Sequence, residues 1–234
     1  MAKLSDLIVR TSEVTGIPEG TVREISRRLR EGGLIGTGKG GRYGGAEMTP
    51  SDVAGLLTAL LVVRASSVSL SDIVPLTKSH LRDLTSHSPR GHRMVLDRWN
   101  PRLALPELCQ LNRGHTFEEA FTGLIASFSS GTFKHAMAKW DRVDLLVEIF
   151  SPRSIVSATP EPEAKIKFET GAFGHLYLHY IRHRIAERTE VVVPKTWSDI
   201  PKDDPFGLTV AARLGDTVLK SMGLLLRPTE TKHA

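Results

Sequence analysis

Arg23, Arg27 and Arg28 crowd one short segment of the chain, with Gly20 and Thr21 just ahead of them. A guanidinium is a planar fork of donors that fits phosphate oxygens and the acceptor edge of guanine, and a hydroxyl can serve either partner. A second group follows, Lys39, Arg42 and Tyr43, set among glycines that make up six of the ten residues from Gly36 to Gly45. Residues so spaced can approach a nucleic-acid backbone closely, Lys39 and Arg42 on phosphates and Tyr43 packing nearby or entering a minor groove. The chemistry on offer is recognition of a polyanion rather than catalysis.

Helical spacing accounts for the first group. Val22, Ile25 and Leu29 recur at i, i+3 and i+7 and define one apolar stripe, with Ser26 beside it. Gly20, Glu24, Arg27 and Glu31 fall on the opposite side, flanked by Arg23 and Arg28. The helix is expected from Pro18, whose missing N–H has no partner in a first turn anyway, to about Glu31. Gly32-Gly33 ends it by supplying left-handed backbone. An earlier helix is expected from Lys3 to about Glu13, with Leu4, Leu7 and Ile8 inward and Gly16-Ile17-Pro18 as the break between the two. Leu34-Ile35 reads as a short strand, the glycine-rich stretch as a turn, and Ala46–Thr49 as a second strand. A solvated face on which Arg and Glu at i, i+4 support each other would use the same residues. The turn before the helix and the basic loop after it favour duplex DNA as partner.

The remainder is less legible. Thr49-Pro50-Ser51-Asp52 is a helix start signal, and the helix from Ser51 to about Ala65 is so uniformly apolar that burial or a dimer interface is expected. Helical segments are expected at Ser69–Thr85, Pro106–Asn112 and Thr116–Ser127, with Ser86–Asn100 a polar connector. Beyond Lys139 the character changes: Val143–Phe150, Ser154–Thr159, Ala164–Glu169 and Thr189–Val193 read as strands, and Gly207–Leu226 as a closing helix. The expected class is α+β in three parts: residues 1–50 for DNA binding, 51–140 a helical linking and dimerisation region, and 141–234 a smaller α+β domain with antiparallel strands.

Charge agrees with that division. The net charge is +5: residues 1–50 hold 8 basic and 6 acidic side chains, 51–140 hold 10 and 7, and 141–234 hold 13 of each. The lone Cys109 excludes an internal disulfide and suits a reducing cytoplasm. The longest apolar run, Ala54–Val63, is about half of the roughly 18 residues a membrane span needs, and Asp6, Arg10 and Glu13 make the amino terminus unlike a secretory signal. A cytoplasmic protein without membrane contact is expected. Gly33-Leu34-Ile35-Gly36-Thr37-Gly38-Lys39 matches a phosphate-loop pattern, but Gly40 supplies no hydroxyl and a helix precedes rather than follows it. His175, His179 and His183 stand four apart without a cysteine nearby, so surface or half-buried residues are expected, not a metal site. No serine sits in a nucleophile elbow. No enzyme activity, cofactor or metal is expected.

Residues Val14-Thr15-Gly16-Ile17-Pro18-Glu19-Gly20-Thr21-Val22-Arg23, then Leu29-Arg30-Glu31-Gly32-Gly33-Leu34-Ile35 and Met48-Thr49, resemble the winged helix-turn-helix superfamily of bacterial transcription regulators, including helix-turn-helix proteins of prophages. The likeness covers about a fifth of the chain. It implies a helix in the major groove and a wing over the adjacent backbone. The function it implies is a sequence-specific double-stranded DNA-binding regulator acting as a homodimer. Gly20, Thr21, Arg23, Arg27, Arg28, Lys39, Arg42 and Tyr43 would be the contacts, and residues 141–234 would bind a partner protein or effector. Two alternatives use the same residues: a phage-type packaging or replication protein of small-terminase kind, or a protein-binding adaptor. The segment before Pro18 is too short for a further helix, so a separate second helix is merged with the first or supplied from elsewhere.

Overall fold

A helix with no polar side must be covered on every side, and the fold is organised around that need. In the computed structural model, which describes residues 2–36, 47–66, 69–87, 104–138, 143–151, 162–170, 174–182 and 210–227, the apolar segment forms the helix Pro50–Ser66. Two helices precede it, α1 (Leu4–Thr15) and α2 (Glu19–Glu31), which makes it α3. Val53, Ala54, Leu56, Leu57, Ala59, Leu60, Leu61 and Val62 of α3 are all buried. They are covered by α2, by α4 (Ile73–Arg82), by the helix Phe117–Ser130 and by two strands, Val143–Ser151 and Val210–Gly215. The apolar surface that suggested a dimer core is therefore enclosed by the chain itself.

The strands form one antiparallel sheet in the order β1-β4-β3-β2-β5, where β1 is Leu84–His87, β2 Val143–Ser151, β3 Glu163–Thr170, β4 Gly174–Arg182 and β5 Val210–Gly215. Period-2 patterning makes its buried face: Leu145, Val147 and Ile149 of β2 stand opposite Phe168, Ile166 and Ala164 of β3. Leu214 of β5 extends the row beside Val147. All seven are buried. The chain is thus α+β, with helices packed on a sheet built mostly from its second half.

Two expectations are corrected. Residues 84–87, taken as the end of a helix and the start of a connector, form β1, because Leu84–His87 pairs with Arg182–His179 of β4. Residues 210–215, expected inside the closing helix, form β5 against Leu146–Ser151, and only Asp216–Leu226 is helical. Both stretches lie on sheet edges, where pairing with a distant strand overrides weak local preference. Residues 174–182, which carry His175 and His179, form β4. Ser154–Thr159 and Thr189–Val193 lie outside the described residues.

The remaining helices are α5 (Pro106–Cys109), α6 (Phe117–Ser130), α7 (Thr132–Met137) and α8 (Asp216–Leu226). Thr116 and Glu119 close a capping box on α6, each accepting the other's backbone N–H. Tyr180 joins α6 to the sheet: its hydroxyl lies 3.1 Å from His115 Nε2, and its ring packs edge-on against Phe117 at 5.4 Å. The closing helix docks on α6 and α1. Gly223 permits this contact, since a Cβ there would stand 2.3 Å from Phe128 Cβ. Thr11 of α1 donates to Met222 Sδ at 3.7 Å. One buried cluster runs through α1, α2, α3, α6, the sheet and α8, so the three stretches that differ in sequence character share a core. Among the described residues no helix is long and apolar enough to cross a membrane.

Candidate nucleic-acid interface

The turn between α1 and α2 is built by three residues. Gly16 takes φ 68°, which ends α1, and its N–H donates to Ser12 O. The Ser12 hydroxyl donates to Ile17 O at 2.7 Å and fixes the turn. Pro18, with φ −53° and ψ 135°, then caps α2. The further helix expected from merging or from elsewhere is not needed to join them. Of the double glycine only Gly33 is left-handed, at φ 70°; Gly32 stays right-handed. Leu34 donates its N–H to Leu29 O at 2.8 Å, closing the last turn of α2. That use of the amide is why Leu34-Ile35 is not a strand. At the other end of the loop, Glu47 bridges antiparallel to Lys3, and Met48 N–H donates to Ala2 O at 2.9 Å.

α2 buries one side completely and presents the other. Val22, Ile25, Ser26 and Leu29 are buried, the Ser26 hydroxyl donating to Val22 O at 2.8 Å. Gly20, Thr21, Arg23 and Arg27 are exposed and Arg28 is half-buried. The side chains of Arg23, Arg27 and Arg28 keep 65%, 50% and 39% of their surface. Among the described residues, α8 packs on α1, and the elements packed most closely on α2 are α1, α3 and α4. Structure and sequence thus place Gly20, Thr21, Arg23, Arg27 and Arg28 together along one helix. Lys39, Arg42 and Tyr43 lie outside the described residues.

The exposed side is not a bare cationic patch. Arg23 pairs with Glu19, and Arg27 with both Glu24 and Glu31. Glu24 is the hub: it accepts from Arg27 Nε at 2.9 Å and Nη2 at 2.6 Å, and from Arg28 Nε at 3.0 Å. Hydrogen bonds from Arg27 and then Arg28 lower its pKa to about 2, and the Arg27 guanidinium is raised further above its ordinary value by Glu24. Four arginines and three glutamates share the helix. Exposed pairs of this kind are weak and exchangeable, so a phosphate or base edge can replace a glutamate as partner.

Two residues that bear on the site were not singled out from sequence. Glu24 could have been found from its spacing to Arg27 at i+3 and Arg28 at i+4. Asp52 lies in the helix start signal Thr49-Pro50-Ser51-Asp52, and Thr49-x-x-Asp52 also has the spacing of a capping box. Thr37, Gly38 and Lys39 of the phosphate-loop pattern lie outside the described residues. Gly33 follows α2, and the next described helix begins at Pro50. His175 and His179 lie on β4, His183 is outside the described residues, and among those described no three His, Cys, Asp or Glu side chains gather as metal ligands. No protein-family model, no curated protein and no solved structure matches the chain.

Proposed function

We propose that this chain binds double-stranded DNA through the exposed side of α2 and acts as a sequence-specific regulator. One observation carries the reading: three arginines stand uncovered on a helix whose other side is locked into the core behind a three-residue turn. A rigid helix with exposed guanidinium forks is suited to a major groove, where Arg reads guanine and its neighbours hold phosphate. Arg23 and Arg27 with Thr21 take the base-facing role, Gly20 allows close approach, and Arg28 holds phosphate. Lys39, Arg42 and Tyr43 are assigned to the flanking backbone.

A homodimer fits an operator with two half-sites, but its interface would have to lie outside α3, whose apolar surface is already covered. The test is selection of bound duplexes from a random pool, with the Arg23→Ala/Arg27→Ala/Arg28→Ala protein beside the wild type. The wild type is expected to yield a consensus, palindromic if it binds as a homodimer. The triple variant should lose it and flatten the salt dependence by up to about three units of log–log slope. Equal enrichment by both proteins would remove α2 from DNA binding.

A second reading has its own observation. The arginines of α2 are already paired with glutamates, and a nearly neutral charged surface suits a protein partner as well as a polyanion. Failure of the wild type to retain duplex on a column at low salt would favour this adaptor reading.

A further inference from the structure

α2 carries four arginines, and three of them are held by glutamates. Arg23 pairs with Glu19, Arg27 with Glu24 and Glu31, and Arg28 with Glu24. Arg30 is different. It is exposed in the last turn of the helix, and among the described residues no carboxylate pairs with it. Its chain neighbour Glu31 is held by Arg27 instead. A cation in a last turn offsets the negative end of the helix dipole, but Arg28 already stands in that turn, so the dipole alone does not call for a second.

The difference matters to a polyanion. An arginine held by a glutamate must give up that carboxylate before it takes a phosphate, and the glutamate left behind repels the new partner. An arginine without one brings its whole charge to the phosphate and displaces counterions fully. The position of Arg30 suits that task. It stands two turns from Arg23 and about one from Arg27, so the three share one flank of α2, with Arg23 and Arg30 about 10 Å apart along the axis. The end of the helix that carries it is fixed in the core. Leu29 is fully buried, and a Cβ on Gly32 would stand 2.4 Å from Val74 Cγ1, so α4 sits directly against the helix end. Gly32 has right-handed backbone, and the close approach of Val74 is what its missing side chain serves.

We propose that Arg30 is a further duplex-binding residue, one that holds a phosphate and so supplies affinity without sequence preference. The proposal rests on the nucleic-acid reading of α2. A helix that enters a major groove by its amino-terminal residues reads base edges there, the role assigned above to Thr21 and Arg23. Its last turn, where Arg30 stands, then meets the wall of the groove, and that wall is sugar and phosphate.

Position is separated from charge by a second arginine. Arg113 is exposed and likewise has no carboxylate partner among the described residues, but it lies before α6, which is not among the elements packed most closely on α2. Binding of wild type, Arg30→Ala, Arg30→Lys and Arg113→Ala is measured across salt concentrations, to mixed-sequence duplex and to duplex enriched from a random pool, with urea unfolding read in parallel. Arg30→Ala is expected to keep its midpoint and to weaken binding to both duplexes alike, about three- to ten-fold at low salt, with a log–log slope flatter by about one unit. Arg30→Lys should recover most of the loss, because a phosphate accepts a point charge. Arg113→Ala should bind as the wild type does. Unchanged affinity and slope in Arg30→Ala overturn the proposal and leave the duplex reading standing. An equal loss in Arg113→Ala assigns the effect to net charge and overturns it as well. A loss confined to the enriched duplex, or one that Arg30→Lys does not recover, makes Arg30 a base contact and overturns its assignment to phosphate. A wild type that retains no duplex brings down the proposal together with the reading beneath it.

Discussion

α2 and α3 are neighbours in the chain and pack against each other, yet they are held in place by opposite means. α2 places four apolar-side positions in the core and leaves a ladder of Arg–Glu pairs in solvent. α3 has charge only at its two ends, Asp52 and Arg64, and between them the buried Thr58 hydroxyl is the one polar side-chain group. The contrast teaches which kind of sequence speaks about partners. An amphipathic helix declares two faces, and its polar one is available to something outside. A uniformly apolar helix declares only that it will be covered, and here the cover is α2, α4, α6 and the sheet of the same chain.

The largest expected effect breaks the comparison at α3. Leu57 is fully buried, and truncation to Ala removes apolar contacts and leaves a cavity in a region enclosed by several elements. A loss of about 2–5 kcal/mol is expected, read as a lower midpoint in urea with little change in slope. Arg27→Ala on α2 is expected to leave the midpoint nearly where it was. If Leu57→Ala were as mild as Arg27→Ala, α3 would not be the enclosed centre described.

Much of this architecture could be read from the chain, and the failures have physical causes. The α2 stripe was legible because Val22, Ile25 and Leu29 repeat with helical period and a proline and two glycines bracket them. β2 was legible from its density of apolar and β-branched residues, and β3 because its apolar residues alternate. β1 and β5 were not, since Leu84–His87 and Val210–Gly215 are strands by virtue of partners about a hundred and about sixty residues away, respectively. Leu34 was misread for a related reason: its amide answers a carbonyl left over at the end of α2, a demand that composition does not reveal. For the site, residue types marked the arginines of α2. The bond from the Gly36 N–H to Asp52 appears only once the fold brings the two together.

An intermediate effect sharpens the comparison through pH. His80 on α4, which packs on both α2 and α3, is buried, and its Nδ1 lies 2.8 Å from Leu76 O. Burial lowers its pKa from 6.5. In the unfolded chain the imidazole takes up a proton below about pH 6.5, while in the folded chain it stays neutral to a lower pH. The stability it contributes is therefore complete above about 6.5 and is lost as pH falls from there toward the folded value, at no more than about 1.4 kcal/mol per pH unit. Glu24 on α2, with its pKa near 2, has no corresponding loss in that window. Thermal melts between pH 7 and 5 should show a decline that His80→Asn, which cannot take up the proton, largely removes. An equal decline in both proteins would assign the pH dependence to other groups.

The smallest expected effect lies on α2 itself and concerns affinity rather than stability. Glu24 holds Arg27 by two donors and Arg28 by one, so it competes with any phosphate for the same forks. Glu24→Gln keeps a neutral acceptor at the hub but removes the charge, leaving four arginines against two glutamates on the helix. Mixed-sequence duplex should then bind about three- to ten-fold more tightly at low salt, and the log–log salt slope should steepen by up to about one unit. Discrimination between a selected operator and mixed sequence should narrow, because the gain comes from phosphate and carries no sequence information. Weaker operator binding would give the opposite assignment, with the Glu24 carboxylate accepting directly from a cytosine amine. Absence of duplex binding in both proteins would mean that the Arg–Glu ladder is a solvated or protein-facing surface, and the difference between α2 and α3 would then be one of burial alone.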